Sequence, residues 1–191
     1  MNVMSTLRKM TAIGLLLFVA AGMAQAATDK QAAQAEVRKS TNAVLNKLYK
    51  VQPAARKIIA AAPGYAVFSN FGMKIFFAGG GTGNGIAVNR ETGQETFMKM
   101  MEVQAGLGIG VKKFGLVFVF QDRRALDNFI SSGWEASAQT SAEALTDGKG
   151  VALKGAFMVS PGVWVYQVAE DGLALDATIK GTKYFRNDDL N

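Results

Sequence analysis

The chain has no cysteine and no histidine among its 191 residues. Without cysteine there are no disulfides, no thiol nucleophile, no zinc finger and no iron–sulfur ligation. Without histidine the commonest general base and the commonest transition-metal ligand are gone. A Ser–His–Asp triad, an H-E-x-x-H zinc site and a papain-like dyad are therefore excluded by counting. Oxygen-ligated hard cations, Ser–Lys chemistry and carboxylate chemistry survive that count. Proline is scarce too, with three in the chain. What is plentiful is apolar residues, at 49%, and glycine, at 21 residues. With 19% charged residues this composition supports one folded domain with a real core.

Residues 1–26 are expected to be a secretory signal peptide. Arg8 and Lys9 precede an apolar run from Ala12 to Ala21, and Ala24-Gln25-Ala26 is an A-x-A cleavage site. The run is shorter than the roughly 20 residues of a membrane-spanning helix. No cysteine follows it for lipid attachment. The product, starting at Ala27, is expected in the periplasm or outside the cell.

Charge is uneven. Residues 27–62 carry seven cations, Lys30, Arg38, Lys39, Lys47, Lys50, Arg56 and Lys57, against Asp29 and Glu36. Residues 63–191 carry 12 cations and 13 anions. Over 29–51 the apolar positions Ala33, Val37, Val44, Leu48 and Val51 recur at helical spacing. Pro53 interrupts that pattern, permits a short helix to about Ala61, and Pro63-Gly64 closes it.

After Gly64 the period falls from 3.6 to 2. Candidate strand segments are 65–69, 73–78, 85–89, 94–100, 103–111, 116–121, 134–140, 151–160, 163–169 and 173–180, not all of which need form, with a helix expected at 123–131 capped by Asp122. Lys112–Gly115 and 141–149 are expected as turn and loop, and 186–191 as a frayed polar tail. The fold class is α+β: a basic helical arm over 27–62, then a β-rich part over 63–191. Its sheet is expected to be mainly antiparallel, curled or barrel-like, with seven to nine short strands and one inserted helix. The arm and the sheet are expected to share one domain.

Gly79-Gly80-Gly81-Thr82-Gly83-Asn84-Gly85 is the most conspicuous local feature. It lacks the Lys-Ser/Thr of a Walker loop and no helix follows it. It reads as a glycine-rich turn between strands, whose free N–H groups could also form an anion-binding nest. Gly106, Gly108 and Gly110 share a strand face, open either to close packing or to an acyl chain. The pairs Lys112-Lys113 and Arg123-Arg124 beside Phe114 and Phe120 are too few for a nucleic-acid surface. The carboxylates Asp122, Asp127, Glu135, Glu143, Asp147, Glu170 and Asp171 show no EF-hand spacing. No catalytic, cofactor or metal site is expected.

Five stretches in order are similar to the SYLF (Ysc84) domain family. They are 64–68 (GYAVF), 77–88 (FAGGGTGNGIAV), 105–110 (AGLGIG), 117–126 (VFVFQDRRAL) and 172–181 (GLALDATIKG). Val103-Gln104 departs from the family's usual serine–aromatic pair, and 141–150 only loosely echoes its aspartate-rich loop. Eukaryotic members bind phosphoinositide membranes, and some bind actin; bacterial members are secreted or envelope proteins. The resemblance implies a non-catalytic lipid-binding module. Export argues against an actin partner. The expected partner is anionic phospholipid or a membrane surface. The candidate contacts are Arg38, Lys39, Lys47, Lys50, Arg56 and Lys57 on the helix and Gly79, Gly80, Gly81, Gly83 and Gly85 in the glycine-rich loop. The alternative is a structural or protein-binding envelope component, with the cations merely on a wet face.

Overall fold

The computed structural model describes residues 3–75, 78–105, 110–136, 155–169, 172–174 and 182–191. Helices α1 (Val3–Val51) and α2 (Ala54–Ala61) lead into strands β1 (Gly64–Ile75), β2 (Ala78–Asn89), β3 (Glu95–Ala105) and β4 (Gly110–Phe120). Helix α3 (Arg123–Ser131) follows, then β5 (Trp134–Ala136), β6 (Phe157–Ser160), β7 (Val163–Ala169), β8 (Gly172–Ala174) and β9 (Thr182–Arg186). The expected α+β class holds. The strands form one curled antiparallel sheet in the order β5-β9-β3-β2-β1-β4-β7-β6, with β8 also on β7. The hairpin β1–β2 is central; β3 flanks β2 and β4 flanks β1.

Both faces of the sheet centre are covered, which explains the unbroken apolar run at the end of β4. Leu116, Phe118 and Phe120 point to one face, where they meet Phe68, Met98, Met100, Tyr184 and the α3 residues Leu126 and Phe129. Val117 and Val119 point to the other, against Leu48 of α1 and Ala55 and Ile59 of α2. Asp122 caps α3 by accepting a hydrogen bond from the Ala125 N–H at 2.8 Å. Gly133, at φ +70°, takes the chain out of it in a conformation that other residues rarely adopt. Pro53 separates α1 from α2, and the Gln52 N–H still donates to the Leu48 carbonyl at 2.7 Å.

The structure corrects the sequence reading in four places. The glycine-rich stretch 79–85 is not a loop. It is the interior of β2, paired with β1 on one side and β3 on the other. Its backbone groups enter two ladders, so a nest has no free N–H groups to offer there. Second, 65–69 and 73–78 are not separate strands, since β1 runs unbroken through Asn70-Phe71-Gly72. Third, Lys112–Gly115 is not a turn but lies within β4. The alternation at 103–111 is likewise split, with Val103–Ala105 in β3 and Gly110–Val111 in β4. Gly106 and Gly108 lie outside the described residues, as do 137–154 and 175–181 from the expected strands and loop.

Fourth, the polar tail is pinned. The Asn187 N–H donates to the Phe97 carbonyl at 2.9 Å, and the Asn191 amide donates to the same carbonyl at 2.8 Å. Leu190 packs with Val37, Ile86 and Phe97. Lys30 and Gln34 of α1 donate to the carbonyls of Asn191 and Leu190. Lys99 holds Asp189 at 2.8 Å, and that hydrogen bond, with the lysine charge, keeps the Asp189 carboxyl below its ordinary value of 3.8. The tie is thus present above that value and is lost as pH falls through the lowered pKa.

Candidate lipid-binding groove

Helix α1 lies across the sheet on the face opposite α3. Val37, Thr41, Val44 and Leu48 recur every three or four residues and are its contact stripe. The approach is close. A Cβ on Gly115 of β4 would come 2.3 Å from a Val44 methyl, so only glycine lets the helix sit this low.

Beside that stripe runs a second one, Glu36, Ser40, Ala43 and Lys47, again at helical spacing. It faces an open groove of about 900 Å³ between α1 and the outer face of the sheet. Ser69, Thr82, Asn84, Lys99, Met101, Lys113, Val168 and Phe185 line the sheet side. The floor is largely apolar. Met101 is 53% exposed and Phe185 36%, two large apolar side chains left in water on the same groove. Among the described lining residues three are cations, Lys47, Lys99 and Lys113, against one anion, Glu36.

The expected helix cations do not act as one cluster. Lys47 lines the groove. Lys39 and Lys50 stand one turn away, four residues before Ala43 and three after Lys47, on the solvent side of the same helix flank. Lys39 is 3.8 Å from Glu36, a pair with both side chains in water. Lys50, and Lys57 on α2, are exposed with no ion-pair partner among the described residues. Arg38 points away from the groove. Its Nε donates to Glu95 at 2.8 Å and its guanidinium lies 4.9 Å over the Phe97 ring, tying α1 to β3. Arg56 stacks 4.3 Å over Tyr49. These two arginines fasten the helices.

Of the candidate glycines between 79 and 85, Gly83 alone is among the described residues that line the groove. Gly81 and Gly85 are buried, and Gly80 is exposed on β2. A Cβ on Gly85 would lie 2.4 Å from the Phe68 ring, and one on Gly83 2.7 Å from Met100. This row without side chains leaves room for the aromatic core. Lys99, Met101, Lys113 and Phe185 were missed as site residues. The alternation of Phe97, Lys99 and Met101 was the available signal for the β3 pair. Among the described residues no three acidic side chains are grouped to hold a metal ion. No helix there is long and apolar enough to cross a membrane.

Residues 101–191 match the family model described as Ysc84, Las17-binding protein actin regulator. Over 163 residues the chain is 36% identical to "Beta cell expansion factor A" of Aeromonas veronii, a match covering 84% of this chain. It spans 60% of that relative's length.

Proposed function

Because residues 101–191 belong to the Ysc84 (SYLF) family, we propose that this chain is a non-catalytic lipid-binding module of the cell envelope. The observation that carries the reading is an open apolar groove with lysines on its rim, flanked by further lysines on the same side of α1. Lys39, Lys47 and Lys50 of α1, with Lys57 of α2, meet anionic head groups. Near an anionic surface each contributes about 1 kcal/mol, reduced by salt. Arg38, Arg56 and the buried glycines take no part in head-group contact. Neither the family description nor the relative's name is that of an enzyme.

Vesicle sedimentation tests the reading. Vesicles rich in anionic lipid should carry the protein down at low salt and release it progressively as salt rises. Neutral vesicles should leave it in the supernatant. Equal sedimentation with both vesicle types would remove the electrostatic part of the proposal.

A structural or protein-binding role is the second reading. It is favoured by the way α1 clamps the last residues of the chain through Lys30 and Gln34 and holds Glu95 of β3 through Arg38. On that reading the lysines are a wet helix face and vesicle composition is immaterial.

Placement in the envelope rests on the leader over residues 1–26. Protein recovered from the periplasm or medium should have the mass of a chain starting at Ala27. Exported protein retaining Met1 to Ala26 would refute the leader.

A further inference from the structure

We infer that the groove beside α1 takes one aliphatic chain of a single-chain anionic amphiphile of the fatty-acid class, bound from solution and not only at a membrane. The inference rests on the lipid-binding reading for its ligand class, and it assigns the groove a soluble occupant. Three observations carry it. The cavity, about 900 Å³, lies at the upper end of the roughly 300–1,000 Å³ typical of small-ligand sites. Its apolar wall is supplied from both sides, by Val44 on the helix and by Met101, Val168 and Phe185 on the sheet. Met101 and Phe185 are left in water at 53% and 36% exposure, a cost that a bound hydrocarbon chain removes.

Charge selects the head group. Lys47 comes from α1, Lys99 from β3 and Lys113 from β4, so cations border the groove on both its helix and its sheet sides. Glu36 is the lone anion among the described lining residues, and Asp189 engages Lys99 from outside the lining. Among the described residues these three lysines outnumber the two carboxylates, which suits a carboxylate head and disfavours a cationic one. Ser40, Thr82 and Asn84 add uncharged polar groups around the same opening.

The probe is palmitate below its micelle concentration, titrated calorimetrically into the full chain lacking residues 1–26. Hexadecanol supplies the same chain without charge, and acetate the same head without the chain. Palmitate should bind with a stoichiometry of one. Hexadecanol should bind at least fivefold more weakly, and acetate should give no signal. Ala43→Trp fills the groove from an exposed helix position, and Met101→Glu places a negative charge at its mouth. Each should weaken palmitate at least tenfold with the circular dichroism spectrum unchanged.

Absence of palmitate binding, or equal affinity in wild type and in both variants, overturns the inference. So does a concentration-dependent dimer that Ala43→Trp abolishes, because the occupant would then be a second copy. Wild-type protein is sedimented with anionic vesicles in parallel, so that membrane binding and palmitate binding are read separately. Loss of palmitate binding from a wild type that still sediments would end this inference alone. Palmitate binding without sedimentation would end the membrane reading alone.

Discussion

Gly85→Val is expected to cost about 3 kcal/mol or more, at the upper end of what overpacking in a tight core costs. The new Cβ alone would lie 2.4 Å from Cδ1 of Phe68 and 2.5 Å from the Val67 carbonyl oxygen. The ring could rotate. The carbonyl belongs to β1, which is paired on both sides, and cannot retreat without disturbing two ladders. A loss of that size lowers the thermal midpoint by roughly 6–12 °C for a chain of this length. Gly80→Ala, five residues earlier in the same glycine-rich stretch, is the internal control. Among the described residues its Cβ would meet nothing closer than the Glu102 carbonyl at 3.4 Å. It should stay within about 0.5 kcal/mol of wild type, as ordinary surface changes do. Similar midpoints for the two variants in urea would show that the stretch is not packed as a strand.

Phe129→Ala is expected to cost about 3–5 kcal/mol. Phe129 is 3% exposed and is the residue through which α3 enters the aromatic cluster. Its ring centroid lies 5.1 Å from that of Phe120, 5.2 Å from Phe118 and 5.7 Å from Tyr184. Phe68 and Trp134 stand 6.1 and 6.3 Å away. Truncation empties the middle of this group and removes ring–ring contacts beyond the buried area. A nine-residue helix has little stability of its own, so α3 depends on that anchor. Urea unfolding followed by far- and near-ultraviolet circular dichroism measures the effect. A loss below about 1 kcal/mol would mean that the cluster collapses around the gap at little cost.

How much of this was legible before the structure depends on whether the signal sits in side-chain period. The break at Pro53, the capped helix after Asp122 and the strand Val163–Ala169 were legible because each has a local cause: a missing N–H, a capping carboxylate, an apolar run between turns. The interior of β2 was not. A run of glycines has no side chains to alternate, and its strand state comes from ladders with β1 and β3, which lie elsewhere in the sequence. Lys112-Lys113 looked like a solvated turn, yet Lys113 extends β4 opposite Phe71 of β1. The tail looked frayed because its partners, Phe97 and the helix residues Lys30 and Gln34, are about 90 and 160 positions away.

The groove follows the same rule. Lys47 was a candidate from its helix, but Lys99 and Lys113 join it only through the sheet order, which places β3 and β4 on opposite sides of the central hairpin. Arg38 and Arg56 were candidates by charge alone. Their charges are spent on Glu95 and on the faces of Phe97 and Tyr49, contacts that no local pattern announces.

On the proposed reading, lysines on one flank of α1 and on α2 draw the protein to anionic lipid. The most direct test of that reading compares wild type with Lys39→Gln, Lys47→Gln, Lys50→Gln and Lys57→Gln combined in one chain, sedimented with anionic vesicles at low salt. Circular dichroism should show both folded, since none of the four is buried in the core. Binding should be several-fold weaker in the variant, with rising salt bringing wild type down towards it. Equal sedimentation of the two folded proteins at low salt would contradict that reading.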